Sequence, residues 1–233
     1  MKKLLGLCLI GLVLAAGCKG RGGKKQDAEV APADTTAAAA AMSSLPEEPV
    51  YDIVTNMGTI RVKLYKDTPR HNANFQKLAL SGYYDSLLFH RVINHFMIQG
   101  GDPFTRDTSK VEQWGEGGPG YTLPAEMRDS DGNPLHRHKK GALAAARRGD
   151  FANPYKESSG SQFYLVQDPD NCVHLDGEYT VFGETVAGLN VIDKIAALPT
   201  DRRDRPVQEV RILKIRANEE LNKAPEEKSA ETF

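Results

Sequence analysis

The chain has 233 residues, 40% of them apolar and 26% charged, with a formal net charge of −1. That length suits one globular domain with terminal additions, and the near-neutral balance excludes the basic footprint of a nucleic-acid binder. Three cysteines are too few for a disulfide framework.

The first element is a targeting signal. Lys2 and Lys3 give a positive start, and residues 4–16 are nearly all apolar but too short to span a bilayer comfortably. Ala15-Ala16-Gly17-Cys18 follows. Small residues before a cysteine resemble the lipobox of bacterial lipoproteins, although Ala15 stands where its leucine is common. The resemblance implies that residues 1–17 are a signal peptide and that Cys18 becomes a lipidated first residue. An ordinary secretory signal is the alternative, and an uncleaved anchor is disfavoured by the short apolar run. Removing residues 1–17 also removes Cys8, so Cys172 is left as the one unlipidated thiol, a small packing residue that cannot form an internal disulfide.

Residues 18–48 read as a linker that holds the domain off the membrane. They are basic and glycine-rich at first, then dominated by alanine and small polar side chains; the run at 37–41 could instead fray as a helix. The folded domain is expected over 49–216. Ile60, Val62 and Leu64 alternate with polar residues, a half-buried strand, and the turn at Asn56-Met57-Gly58 pairs it with 51–55. Thr68 as cap, Pro69 in the first turn and Gly82 at the exit bound a helix. Strands are expected at 88–93, 96–99, 142–146, 162–166, 180–182 and 207–215, with loops over 103–140. A second helix spans 191–197, stopped by Pro199. Residues 217–233 form a polar tail, disordered or fraying. Many short strands and two helices fit a β-barrel with helices over its ends.

The most informative stretch is Phe89–Pro103, FHRVINHFMIQGGDP. It sets Arg91 among Phe89, Val92, Ile93, Phe96, Met97 and Ile98, with Gln99 beyond. On composition alone this is a buried strand with a snorkelling arginine. Its wording, however, resembles the signature of the cyclophilins, the peptidyl-prolyl isomerases. Two further blocks resemble that family in the same order: Ser159-Gly160-Ser161-Gln162-Phe163-Tyr164, and Leu175 to Gly183, LDGEYTVFG.

The resemblance implies a mostly β fold, a closed eight-stranded antiparallel barrel capped by two helices, and isomerase activity at X-Pro bonds of extracytoplasmic proteins. It places Arg91 at the catalytic position. Phe96, Met97, Tyr164 and Leu175 fall at proline-pocket positions, and Gln99 and Gln162 at polar positions near the substrate backbone. Ala146 lines the groove, with Arg147 next to it. His174 stands where many cyclophilins have tryptophan, which weakens the expected cyclosporin affinity, and Tyr179 stands where many have histidine.

The chemistry needs no cofactor and no metal. No covalent bond breaks; an apolar cleft grips the proline ring while a fixed cation favours the twisted amide. Implied partners are proline-containing polypeptides and, through the lipid anchor, a membrane, with the chain a monomer and no nucleic acid bound. The glycine-rich 115–120 segment lacks the lysine of a phosphate loop and reads as a flexible loop. His136 and His138 lack companions for a metal site. Asp102 reads as structural, and Trp114 as a packing residue with a partner contact as the alternative. The rival function is a module that binds proline segments without turnover; a metal-dependent hydrolase has no converging ligand set.

Overall fold

A computed structural model describes residues 40–223. The signal segment, Cys18, most of the linker and residues 224–233 lie outside these. Among the described residues, ten strands and two complete α-helices run in the order β1 (Val50–Thr55), β2 (Gly58–Leu64), α1 (Pro69–Leu80), β3 (Arg91–Ile93), β4 (Met97–Gly100), β5 (Thr122–Leu123), β6 (Ala142–Ala145), β7 (Ser158–Ser159), β8 (Phe163–Val166), β9 (Val181–Ala187), α2 (Leu189–Ala196) and β10 (Ile212–Ala217). Eight strands form one antiparallel sheet ordered β10-β1-β2-β9-β6-β8-β4-β3; β5 and β7 form a separate ribbon.

The sheet is an open half-barrel, not the closed barrel expected. No ladder joins β3 to β10. Ser86–Phe89, just before β3, meets the start of β10 through a single bridge, Leu88 to Arg211. Around it Ser86 N–H donates to Ile212 O (2.8 Å), Phe89 N–H to Val210 O (2.9 Å) and Ile212 N–H to Leu87 O (2.8 Å). Contact ends there because β3 is three residues long and the Val92 N–H turns to a loop carbonyl, Asp204 O, at 2.7 Å.

Side-chain alternation splits the sheet into two apolar layers. Ile98, Leu143, Ala145, Phe163 and Leu165 face the main core, with Ile53, Ile60, Val62 and Leu64. The intervening residues Met97, Ala142, Ala144, Tyr164 and Val166 form a second cluster with Cys172, Leu175 and Val181. Burial pushes the Cys172 thiol up to about 12, so it is an inert packing group. Helix α1 closes the main core with Phe75, whose ring lies 5.3–5.9 Å from those of Tyr51, Tyr84, Phe163 and Phe182. Edge and tilted contacts of this kind contribute ~0.5–1.5 kcal/mol per pair beyond burial.

Helix α1 keeps the expected Pro69 start, and Gly82 follows its Ser81 cap at φ +70°. Its N-terminal cap differs. Thr68 Oγ1 turns back to Tyr65 O, and the carboxylate of Glu126, 55 residues away, accepts from the Arg70 and His71 N–H groups at 3.1 and 3.0 Å and meets His71 Nδ1 at 2.6 Å. The last strand also differs. It begins at Ile212, because Thr200 and Pro206 bridge around a turn and Val207 is exposed. The ends of the domain are better fastened than the linker and tail readings expected. Leu45 packs against the core, and Asn222 exchanges two hydrogen bonds with the Val50 backbone at 2.8 and 2.9 Å. Among the described residues no helix is long and apolar enough to cross a membrane.

Replacing Glu126 with alanine frees two helix-end N–H groups and a buried imidazole together. Loss of a cap and of a charged acceptor predicts a destabilisation of about 2 kcal/mol, read as a lower urea midpoint at unchanged slope.

Candidate active site

The site is built on one cross-strand row. Arg91 of β3 pairs with Gln99 of β4, Gln99 with Tyr164 of β8, and Tyr164 with Ala144 of β6. All lie on the face opposite the main core, beside a cavity of about 290 Å³. Arg91, Phe96, Met97, Gln99, Ala146, Arg147, Tyr164, Leu175 and Tyr179 line it, as the sequence reading grouped them.

Two predicted residues act from behind. Gln162 is buried off the cavity, its Oε1 accepting from Gln99 Nε2 at 3.0 Å and its Nε2 donating to Gly115 O and Gly117 O at 2.9 and 2.8 Å. His174 is exposed and stacks on Phe96, ring centres 6.3 Å apart and 14° between planes.

Arg91 carries its charged head toward solvent, as a snorkelling arginine does. Its side chain is 43% exposed at the cavity mouth, with Nε 3.5 Å from Asp204. Asp204 sits at φ +61°, unusual for a side chain other than glycine, in a turn that also receives the Val92 N–H. Arg205, a cavity residue from the same turn, bonds Asp201 Oδ2 at 3.1 Å and Val111 O at 2.8 Å. Arg203 pairs with Glu112 at 2.6 Å.

The glycine-rich segment is anchored, not flexible, where it meets the cavity. Buried Asp102 accepts from Phe104 N–H at 2.7 Å, from Gly117 N–H at 3.3 Å and from Gly115 N–H. A Cβ at Gly117 would lie 2.1 Å from Asp102 Oδ1, so only glycine lets the loop come this close. Trp114 is thereby set on the cavity wall, with Nε1 donating to Phe104 O at 3.1 Å.

The two histidines read as lacking metal companions are held by carboxylates. His136 Nε2 lies 2.8 Å from Asp67 Oδ1. His138, fully buried, has Nδ1 2.8 Å from Asp176 Oδ1 and Nε2 2.9 Å from the Tyr164 hydroxyl. Burial holds the His138 pKa below its usual value, against the pull of the Asp176 hydrogen bond. A neutral ring with its proton on Nδ1 donates to Asp176 and accepts from Tyr164. The ring planes of His138 and Tyr164 lie 7° apart, so the pair fixes the tilt of a pocket wall. Arg147 turns its side chain along the wall: its guanidinium lies 4.3 Å over the Tyr179 ring and Nε donates to Glu178 O at 3.0 Å.

Sequence reasoning missed His90, Val111, Arg203 and Arg205. His90 adjoins Arg91 within the recognised motif, so that signal was present. The others come from loops brought in by tertiary contacts.

The family described as Cyclophilin type peptidyl-prolyl cis-trans isomerase/CLD matches residues 50–217. A peptidyl-prolyl cis-trans isomerase-like 1 of Neurospora crassa is 39% identical over 70% of this chain and 91% of its own length. Peptidyl-prolyl cis-trans isomerase B of Bacillus subtilis is 42% identical over 60% and 84%. The chain spans only 28% of a longer relative, the isomerase-like 2 of Rhizopus delemar, at 38% identity. A cyclophilin type isomerase of Cryptosporidium parvum superposes with a TM-score of 0.62 at 28% identity, covering 73% of this chain and 98% of that one; it has also been solved in the presence of the dipeptide Ala-Pro. This chain therefore belongs to the cyclophilin-type peptidyl-prolyl cis-trans isomerases.

Burial drives the pKa of His90 down to about 4, against the nearby charge of Asp102, and holds that of His138 low as well. Between about pH 4 and 6.5 the unfolded chain then binds protons that the folded chain refuses. Stability from these groups is complete above about pH 6.5 and is lost as pH falls toward 4. Thermal melts from pH 7 to 4.5 should show a falling Tm, with a shallower slope in His90→Gln.

Proposed function

We propose that this chain isomerises X-Pro bonds in extracytoplasmic polypeptides while held to a membrane by lipid at Cys18, with Arg91 as its catalytic residue. The observation that carries the catalytic reading is the row Arg91–Gln99–Tyr164 opening on a cavity that sets Phe96, Met97 and Leu175 beside polar groups.

An amide resists rotation by ~18–20 kcal/mol, and unaided X-Pro isomerisation takes about tens to hundreds of seconds. A ten-thousandfold acceleration needs only ~5.4 kcal/mol. Phe96, Met97, Tyr164 and Leu175 offer the proline ring an apolar seat. As the bond twists, the proline nitrogen loses its resonance, becomes pyramidal and accepts a hydrogen bond from Arg91. Asp204 orients the guanidinium, and Gln99, fixed by Gln162, stands at the next position of the row. Because Arg91 is half-exposed in the free protein, the bound peptide itself must exclude water from it, which strengthens the interaction at the moment of rotation.

Arg91→Ala should lower kcat and kcat/KM by similar factors, on the order of a hundredfold, in a protease-coupled prolyl assay. Arg91→Lys should recover little, since an ammonium lacks the planar fork. Phe96→Ala should act mainly on KM. Near-normal kcat/KM in folded Arg91→Ala would move the weight to a binding module without turnover.

The anchor is supported by the charged start, the short apolar run and Ala15-Ala16-Gly17-Cys18. One acyl chain binds membranes only marginally, so stable tethering needs several on the same cysteine. Cys18→Ser should abolish lipid labelling and leave an unprocessed precursor. An unmodified N-terminus at another residue, read by intact mass, would overturn the assignment.

A further inference from the structure

The cavity is lopsided in charge. Four guanidiniums line it, those of Arg91, Arg147, Arg203 and Arg205, and no carboxylate does. Arg91 serves the twisting bond and Arg147 lies over Tyr179. Arg203 and Arg205 have no part in that chemistry.

Both come from one built turn. Asp201 organises it. Its Oδ1 accepts from the Arg203 and Arg205 N–H groups at 2.8 and 3.0 Å, its Oδ2 from Arg205 Nε at 3.1 Å, and its own N–H donates to Arg205 O at 2.8 Å. Thr200 and Pro206 bridge across the base. The same turn sets Asp204 beside Arg91 and takes the Val92 N–H, so it is docked on the strand that carries Arg91. Arg205, with its side chain 15% exposed, is fixed further by Val111 O. Arg203, 55% exposed, keeps its fork in reach of a ligand.

A carboxylate of the chain already shows that this pair can be bridged. Glu112 Oε2 lies 2.6 Å from Arg203 Nη2 and Oε1 lies 4.0 Å from Arg205 Nη2, so one carboxylate spans both guanidiniums. Glu112 is 67% exposed, on the 3₁₀ turn Thr108–Gln113, and does not line the cavity. An ion pair between side chains this exposed contributes little, so a second carboxylate can displace it.

We propose that Arg203 and Arg205 form a subsite for the carboxylate of an aspartate or glutamate flanking the target proline, and that Glu112 is the side chain it displaces; the proposal rests on the isomerase reading above. The planar fork of arginine matches a carboxylate, whereas a lysine there meets like charge. Asp150, Glu178, Asp201 and Asp204 stand behind the arginines and cancel their field at a distance. Selection is therefore made by contact and is read in KM.

The experiment measures kcat/KM of the full chain by NMR exchange on proline peptides that differ at one position. Glutamate, glutamine or lysine is placed just before or just after the proline. At one of these positions glutamate should exceed glutamine roughly three- to tenfold, with lysine below both, and high salt should shrink the preference. Arg203→Gln should bring the glutamate-to-glutamine ratio to about one, and Arg203→Lys should retain part of it. Glu112→Gln should raise it about twofold, which a merely structural role for the turn would not do. A wild-type ratio near one at both positions, a ratio unchanged in Arg203→Gln, or one that Glu112→Gln fails to raise overturns the proposal. Wild-type chain that accelerates none of the peptides overturns the isomerase reading instead, which separates the two failures.

Discussion

The register of three short strands is the constraint on which the site depends. β3, β4 and β8 contribute three to four residues each, and their pairing sets Arg91, Gln99 and Tyr164 side by side. A slip of one residue would turn Met97, Gln99 and Tyr164 into the main core and bring Ile98 and Leu165 out. Such short strands do not hold register unaided. They are held because both faces are packed, and because the polar chain Gln99–Gln162–Gly115–Asp102 ties the strand row to the loop on the far side of the cavity.

Two apolar layers explain why the cavity survives beside a dense core. The inner layer, centred on Phe75 and Phe163, stabilises the sheet. The outer layer is covered only in part, by the 3₁₀ turn Asp170–Leu175 and by Tyr179. Its uncovered part is the pocket. Polar support is placed behind this layer: His138, braced by Asp176, holds the Tyr164 hydroxyl from inside.

Much of this was legible in the sequence because it is local. The alternation Ile60-Val62-Leu64, the Pro69 start of α1 and the Phe89–Pro103 wording each carry their signal within a few residues. What was not legible depends on distant partners. Glu126 caps α1 from 55 residues away. The sheet's edge strands part because β3 turns to the Asp204 turn. The 115–117 loop reads as slack until Asp102 and Gln162 are placed around it. Arg203 and Arg205 enter the cavity from the segment between the second helix and the last strand, to which the sequence reading assigned no element. Residue-level roles in the site came from the family resemblance.

The pairing of β1 with β10 joins Tyr51 to Ala217 and Ile53 to Ile215, with Asn222 locking Val50 beyond it. A chain made N-terminus first therefore carries the domain's opening strand half-paired until β10, Ile212–Ala217, emerges. Contacts of such long sequence separation slow folding. During synthesis the domain's first strand offers an unsatisfied edge throughout, and a chain cut short before residue 212 would leave it permanently open to other strands.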